Sequence, residues 1–148
     1  MAGEGLFYAD ANLGGGAFPI LLNCYIHIEA RSALAAVYIA DNVRINNNAV
    51  IIVDKNQIYT GRNTLIGTEF TVYDSDFHDL NPSRRMGGVV KSASVYIDEN
   101  VFIGSRVSVM KGVTIGANSV IANGSIVTRD VPSNCIAAGV PAKLIKRI

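Results

Sequence analysis

The chain of 148 residues contains few of the residues from which small proteins build cross-links or metal centres. It has two cysteines, Cys24 and Cys135, and two histidines, His27 and His78. Two cysteines provide neither a disulfide framework nor a zinc-binding set, so we expect reduced thiols in a cytoplasmic protein. A zinc site with three histidine ligands and an open fourth position is nearly excluded, because the whole chain has only two histidines.

Charge and long apolar runs are also scarce. Charged residues make up 17% of the chain, below the roughly 25% of an ordinary soluble domain, and the net charge of +1 indicates no general attraction to nucleic acid or anionic membranes. The N-terminus lacks the basic segment and continuous apolar core of a signal peptide. The apolar segment 17–28 is interrupted by Pro19 and Asn23 and is shorter than the about 20 residues that span a bilayer. We expect it to form the first, capping layer of the fold.

What the sequence does have is an aliphatic residue at every sixth position. In the C-terminal half the series is Ile97, Ile103, Val109, Ile115, Ile121 and Val127. The same frame extends backwards through Val72, Ile66 and the weaker Thr60, and after a three-residue slip through Ile51, Ile45 and Ile39. No helix repeats every six residues, and no alternating strand has turn signals this often. The pattern therefore predicts a solenoid of short strands and bends, in which residues 18 apart stack at the ~4.8 Å spacing of neighbouring strands.

Turn-forming residues mark the corners of these units, three positions after the aliphatic residue. They are Asn42, Asn48, Asp54, Asn63, Asn100, Gly112, Asn118, Gly124 and Asp130. Asn, Asp and Gly tolerate the positive φ that a sharp bend often needs. We therefore predict bends with positive φ at these positions.

The frame is interrupted twice, and the second interruption predicts where the function lies. The first break, at 55–59, indicates a small bulge at a corner. The second, at 73–94, is too long for a corner and predicts a loop ejected from a rigid scaffold, where functional residues are common. We predict a single domain with an N-terminal capping layer (1–36), a repeat region (37–135) that carries the loop, and a C-terminal tail or helix (136–148).

Three segments resemble the hexapeptide-repeat acyltransferases, and most closely the galactoside and maltose type of O-acetyltransferase. They are YDSDFHDLNPSRR (73–85), VFIGSRVSVMKGVTIGANSVIANGSIVTRDVP (101–132) and AAGVPAKLIKRI (137–148). The resemblance implies an all-β, left-handed parallel β-helix that assembles as a homotrimer. It also implies transfer of an acetyl group from acetyl-CoA to a hydroxyl or amine of a sugar, nucleotide sugar or similar small polar acceptor, with no metal required.

His78 is the first candidate for catalysis. Acyl transfer from a thioester needs a base that removes the proton of the attacking hydroxyl or amine, and imidazole suits this at neutral pH. The resemblance places the family's catalytic histidine at this position. Asp74, Asp76 and Asp79 could orient the ring, or they could be turn-forming residues of the loop.

Ser105 and Asn123 are the first candidates on the cofactor side. They are 18 residues apart and should stack on adjacent coils. The resemblance places these positions beside the thioester and the pantetheine arm, partly through backbone donors that can hold a carbonyl oxygen as it gains charge. Asn123 departs from the family pattern, in which Ala or Gly is more common. Both residues could instead be ordinary outward-facing polar residues.

The remaining candidates also come from the resemblance. Thr128 and Arg129 match a Thr-Lys pair near the cofactor, and Lys143 and Lys146 match basic positions that meet the phosphates of CoA. Asn47 resembles an acceptor-side asparagine, and Arg84, with its neighbour Arg85, could hold an acidic acceptor. The basic residues could equally be solvated surface.

Two other classes of function compete with acyl transfer. A metalloenzyme on the same fold, like the γ-class carbonic anhydrases, needs three histidines around zinc and is nearly excluded by the histidine count. A non-catalytic scaffold or binding module would keep the solenoid without the chemistry. The presence of both the loop histidine and the cofactor-side residues argues against it.

Overall fold

A computed structural model of the chain describes residues 6–9, 12–13 and 25–148, the first two segments as backbone only. Most of segment 17–28 and Cys24 lie outside these residues. The described strands are β1 (Leu6–Ala9), β2 (Asn12–Leu13), β3 (Ile26–Ala30), β4 (Ala36–Ile39), β5 (Arg44–Ile45), β6 (Ala49–Val53), β7 (Gln57–Thr60), β8 (Leu65–Ile66), β9 (Thr71–Tyr73), β10 (Val95–Ile97), β11 (Phe102–Ile103), β12 (Ser108–Val109), β13 (Thr114–Ile115), β14 (Val120–Ile121), β15 (Ile126–Val127), β16 (Cys135–Gly139) and β17 (Ala142–Arg147). One 3₁₀ helix, Pro82–Arg84, lies between β9 and β10.

The strands form three sheets that are the three sides of a coil. Sheet A has the order β1-β4-β7-β10-β13, sheet C the order β15-β12-β9-β6-β3, and sheet B the order β17-β16-β14-β11-β8-β5-β2. Up to β15, every third strand joins the same sheet and pairs in parallel with the strand one coil before it. The chain therefore winds as a parallel β-helix, and β1, β2 and β3 form its first described coil.

The strand register confirms the six-residue frame. Ile103 pairs with Ile66 on one side and with Ile121 on the other, and all three are buried in the core. The three-residue slip is also confirmed, because Ile39 pairs with Thr60. Aliphatic residues at these positions point into the coil, where each layer buries its side chains against the next. A continuous core of this kind explains the low fraction of charged residues.

Most of the predicted corners have the positive φ that their residue types favour. These corners are Asn42, Asn48, Asn63, Asn100, Gly112, Asn118 and Gly124. For Asp54 and Asp130 the prediction is wrong, since neither lies in the left-handed region. The Asp130 carboxylate instead accepts the N–H of Thr114 at 2.7 Å. Glu69 and Arg106, which carry no turn signal, have φ of 58° and 56°, because the geometry of the coil imposes the bend there.

The C-terminal segment is a strand rather than a helix. β17 folds back antiparallel along β16, with Lys143 beside Ala138 and Lys146 beside Ile136. β16 would otherwise be the last strand of sheet B, with a row of unpaired backbone groups. Pairing with β17 satisfies those groups, which is the physical reason why this segment is extended.

Candidate active site

The ejected loop leaves the coil after β9, and a buried carboxylate closes its base. Asp74 is fully buried and accepts the backbone N–H groups of Asp54, Lys55 and Asn56 at 2.6, 3.1 and 2.8 Å. These amides belong to the bend at 54–56, which overlaps the start of the break predicted at 55–59, whereas the rest of that segment lies in β7. Asp74 therefore caps this bend and joins it to the loop.

The next two residues, Ser75 and Asp76, join the start of the loop to its end. Ser75 forms an isolated antiparallel bridge with Ser92, and the backbone N–H of Asp76 donates to the carbonyl of Lys91 at 3.0 Å. The Asp76 carboxylate is paired with Lys111 Nζ at 2.6 Å. The loop therefore starts from a two-stranded, ion-paired stem.

His78 projects from this stem with an exposed ring. Its backbone N–H donates to the carbonyl of Asp76 at 2.7 Å, whereas the ring has no hydrogen-bond or ion-pair partner among the residues that the structure describes. Asp79, the third carboxylate, accepts the Asn81 N–H at 2.8 Å and lies 3.3 Å from Arg84 Nε. All three carboxylates thus pair with groups of the loop, its stem or the bend at 54–56, and none of them hydrogen-bonds to the His78 ring.

A cavity of about 230 Å³ opens beside His78. Its lining consists of Asp76, His78, Asp79, Leu80, Asn81, Arg84, Val89 and Lys91. The structure therefore brings two of the predicted residues, His78 and Arg84, to the same cavity. A basic imidazole beside a guanidinium can accept a proton from one part of a polar ligand while an anionic part faces the cation.

A second group of predicted residues lies at a different corner, between sheets B and C. The register of β5, β8, β11 and β14 places Asn47, Ser105 and Asn123 in one column. The predicted stacking of Ser105 and Asn123 is confirmed, because Asn123 Oδ1 accepts the backbone N–H of Ser105 at 3.0 Å. Gly104 makes room for this contact, since a Cβ on it would collide with the Asn123 side chain and backbone.

The His78 corner and the Ser105 corner lie at opposite ends of the strands of sheet C. The His78 loop follows β9, at the corner between sheets C and A, and Ser105 precedes β12 in the same sheet. Ser105 precedes the bend at Arg106, and from Val107 to Met110, the first residue after β12, the chain advances three more residues, or roughly 10 Å of extended backbone. One copy of the chain does not bring these residues into one site.

The remaining candidates fall on the two ends of this arrangement. Thr128 and Arg129 follow β15, one coil beyond Met110 and Lys111, and so lie at the same corner as the stem of the loop. Lys143 and Lys146 are exposed on β17, at the C-terminal edge of sheet B.

The stem contains an ion pair, Lys111 with Asp76, that the sequence did not predict. The six-residue frame contains a signal for this pair. Because Val72 and Val109 are in register, Lys111 lies in the column of Asp74, at the start of the loop. The contact of Arg31 with Phe77 has no signal in the sequence.

Two further features bear on cofactors and membranes. No group of three or more His, Cys, Asp or Glu side chains that could hold a metal ion occurs among the described residues. Over the same residues, no helix is long and apolar enough to cross a membrane.

Comparison with known proteins identifies the class to which this fold belongs. Residues 94–129 match the family model for the bacterial transferase hexapeptide (six repeats). The chain belongs to the hexapeptide-repeat family, and its coil is the left-handed parallel β-helix of that family.

Within the family, the chain is similar to sugar O-acetyltransferases. It is 42% identical to the galactoside O-acetyltransferase of Escherichia coli over 112 residues, which are 76% of this chain and 54% of that protein. A solved galactoside acetyltransferase in complex with coenzyme A has a TM-score of 0.73 and 30% identity, covering 97% of this chain and 64% of that one. A hexapeptide-repeat acetyltransferase of Vibrio cholerae complexed with acetyl coenzyme A has a TM-score of 0.74 and 26% identity, covering 95% and 70%. The chain spans 54–61% of the length of the first curated relatives it matches.

Proposed function

We propose that this chain is an acetyl-CoA-dependent O- or N-acetyltransferase that acts on a sugar, nucleotide sugar or similar small polar acceptor. The observation that carries the proposal is the His78 ring, exposed and unpaired among the described residues, on a stem held by Asp74 and Asp76. Relatives of the same family that are named acetyltransferases, one of them solved with acetyl-CoA, supply the reaction class.

The reaction needs one base and no covalent enzyme intermediate. His78 takes the proton from the acceptor hydroxyl or amine while that atom attacks the thioester carbonyl carbon. The tetrahedral intermediate then expels the CoA thiolate, which receives the proton from the imidazolium. No thiol is needed as a nucleophile, which agrees with Cys135 being buried. No metal is required for this chemistry.

The two corners of the coil support a homotrimer. His78, Thr128 and Arg129 belong to the corner between sheets C and A, whereas Asn47, Ser105 and Asn123 belong to the corner between sheets B and C. A single site can include both groups only where two subunits meet. We therefore propose that the site is a cleft between neighbouring subunits of a homotrimer, with the acceptor and acetyl-CoA bound in it.

Each side of the cleft has a distinct role in this proposal. Ser105 and Asn123 face the thioester and the pantetheine arm, and Thr128 and Arg129 lie along the cofactor. Lys143 and Lys146 bind the phosphates of the cofactor through the ammonium groups of their flexible side chains.

Two residues bind the acceptor in this proposal: Asn47, and Arg84, which lies beside His78 in the cavity.

We further propose a cytoplasmic protein whose partners are small molecules, without nucleic acid or membrane binding, in keeping with the net charge of +1.

The test is thiol release from acetyl-CoA with a panel of polar acceptors. Once an acceptor is found, His78→Ala should lower kcat by about 100-fold or more, the usual effect of losing a general base. His27→Ala is the matched control, because His27 is the other histidine and is also exposed. Its ring contacts Glu29, the partner of Arg31, so the variant should lower kcat by about 10-fold at most. Undiminished turnover in His78→Ala would show that the base is a different group. Absence of acetyl-CoA binding in calorimetry would instead favour a non-catalytic scaffold. Light scattering measures the molar mass of the assembly and thereby tests the trimer.

A further inference from the structure

The residue immediately before His78 has an unusual backbone. Phe77 has φ of +58°, in the left-handed region that bulky L-residues rarely adopt. Such a conformation persists only where the surrounding structure holds it, and it is often found at functional sites. Because His78 is the next residue, the conformation of Phe77 determines the direction in which the imidazole leaves the loop.

Three contacts hold Phe77 in this conformation. Its backbone N–H donates to Ser75 Oγ at 3.0 Å. The Tyr73 ring meets its ring edge-on, with centroids 5.5 Å apart and planes at 78°. The guanidinium carbon of Arg31 lies 4.8 Å from the centroid of the Phe77 ring, within the distance of a cation–π contact.

Arg31 is the only one of these partners that comes from outside the loop and its strand. It follows β3, in the first described coil, and its backbone N–H donates to the Val53 carbonyl at 2.8 Å. Glu29 holds its guanidinium through two hydrogen bonds, from Nε at 3.0 Å and from Nη2 at 3.3 Å. The hydrogen bonds from Arg31 and then from His27 lower the pKa of Glu29, so the carboxylate is charged at neutral pH. The ion pair with Glu29 therefore helps to keep the Arg31 cation over the Phe77 ring.

We propose that Arg31 is a positioning residue for His78. It braces the Phe77 ring from the first described coil and thereby sets the backbone that aims the imidazole at the acceptor. Its effect on rate rests on the proposed role of His78, whereas its effect on the orientation of His78 does not. Arginine suits this role because a planar guanidinium can donate two hydrogen bonds to a carboxylate from its edge while its face stays available to an aromatic ring.

The proposal is tested with Arg31→Ala and Arg31→Lys, and with Arg62→Ala as the matched control. Arg62 forms an exposed ion pair with Glu99 at 2.6 Å, similar to the Arg31–Glu29 pair but remote from the loop. We expect Arg31→Ala to lower kcat by about 3- to 10-fold, from a cation–π contact and a small misplacement of the base, with KM for acetyl-CoA unchanged. Arg31→Lys should recover less than half of this loss, and Arg62→Ala should match the wild type.

A spectroscopic measurement tests the orientation of His78 without relying on turnover. The chain has only two histidines, so the imidazole NMR spectrum contains two sets of signals, and His78→Ala assigns them by elimination. Arg31→Ala should shift or broaden the His78 signals, and Arg62→Ala should leave them in place. Unmoved His78 signals in Arg31→Ala would overturn the proposal, as would an Arg31→Lys variant with wild-type kcat. If His78→Ala itself retained full turnover, the proposed function would fail. The NMR result would still show whether Arg31 sets the orientation of His78.

Discussion

Replacement of Asp74 by asparagine should destabilise the protein far more than an ordinary isosteric change. In the wild type, one carboxylate oxygen accepts the Asp54 N–H, and the other accepts the N–H groups of Lys55 and Asn56. Asparagine keeps one oxygen, which can turn to accept the N–H groups of Lys55 and Asn56, and its NH₂ group then faces the Asp54 N–H, so one backbone N–H loses its acceptor. At about 1–3 kcal/mol for a buried unsatisfied group, we expect a loss of about 1–3 kcal/mol from the free energy of unfolding.

Urea unfolding followed by circular dichroism measures this loss, with all variants at one protein concentration because an oligomer unfolds in a concentration-dependent way. Asp130→Asn is the matched control. Asp130 is exposed and accepts a single backbone N–H, from Thr114, which the asparagine oxygen can still accept. Its free energy of unfolding should stay within about 0.5 kcal/mol of the wild type. A change of that size or smaller in Asp74→Asn would refute the capping role assigned to this carboxylate.

The other two predictions concern the corner of Ser105. Asn123→Ala frees the Ser105 N–H that Asn123 Oδ1 now occupies, and we expect calorimetry to give a CoA Kd about 2- to 10-fold lower, because the ligand no longer competes with an internal hydrogen bond of about 0.5–1.5 kcal/mol. Asn123→Asp, which keeps an acceptor for that N–H, should show no gain, and an unchanged Kd in Asn123→Ala would contradict the reasoning. Gly104→Ala should lower the free energy of unfolding by about 1–3 kcal/mol in urea titrations, because its Cβ would lie 2.7 Å from the Asn123 backbone nitrogen. Gly87→Ala, whose Cβ meets nothing within 4 Å, should be neutral, and equal losses in the two glycine variants would show that the close approach has no cost.

The corners of the coil show how local and global determinants divide. Asn100 and Asn118 were predicted from residue type, since asparagine tolerates positive φ, and both have it. Glu69 and Arg106 adopt the same conformation without any local preference for it. Asp54 was predicted to behave like the asparagines, but the bend that follows it is shaped by a carboxylate 20 residues further along the chain. A repeat predicts where corners occur better than it predicts the backbone of each one.

The candidate site divides in the same way. The break in the repeat predicted a loop, and the residues of that loop singled out His78. The assignment of Asp74 and Asp76 could not be made from the loop alone, because their partners come from the bend at 54–56 and from Lys111. The same holds for Asn123. Its side-chain oxygen accepts the N–H of Ser105, a residue one coil away that its neighbours in the chain do not indicate.

The sequence by itself determined the architecture of this protein, because a hydrophobic period of six leaves a stack of short parallel strands as the fold that buries every aliphatic residue. It also determined the position of the loop, since a rigid repeat accommodates an insertion only by ejecting it. Only the tertiary structure decided which side chains hold the loop and where the two groups of site residues lie. Those contacts, such as Arg31 on Phe77, join residues that are far apart in the chain, and their geometry depends on distances between coils that residue types do not encode.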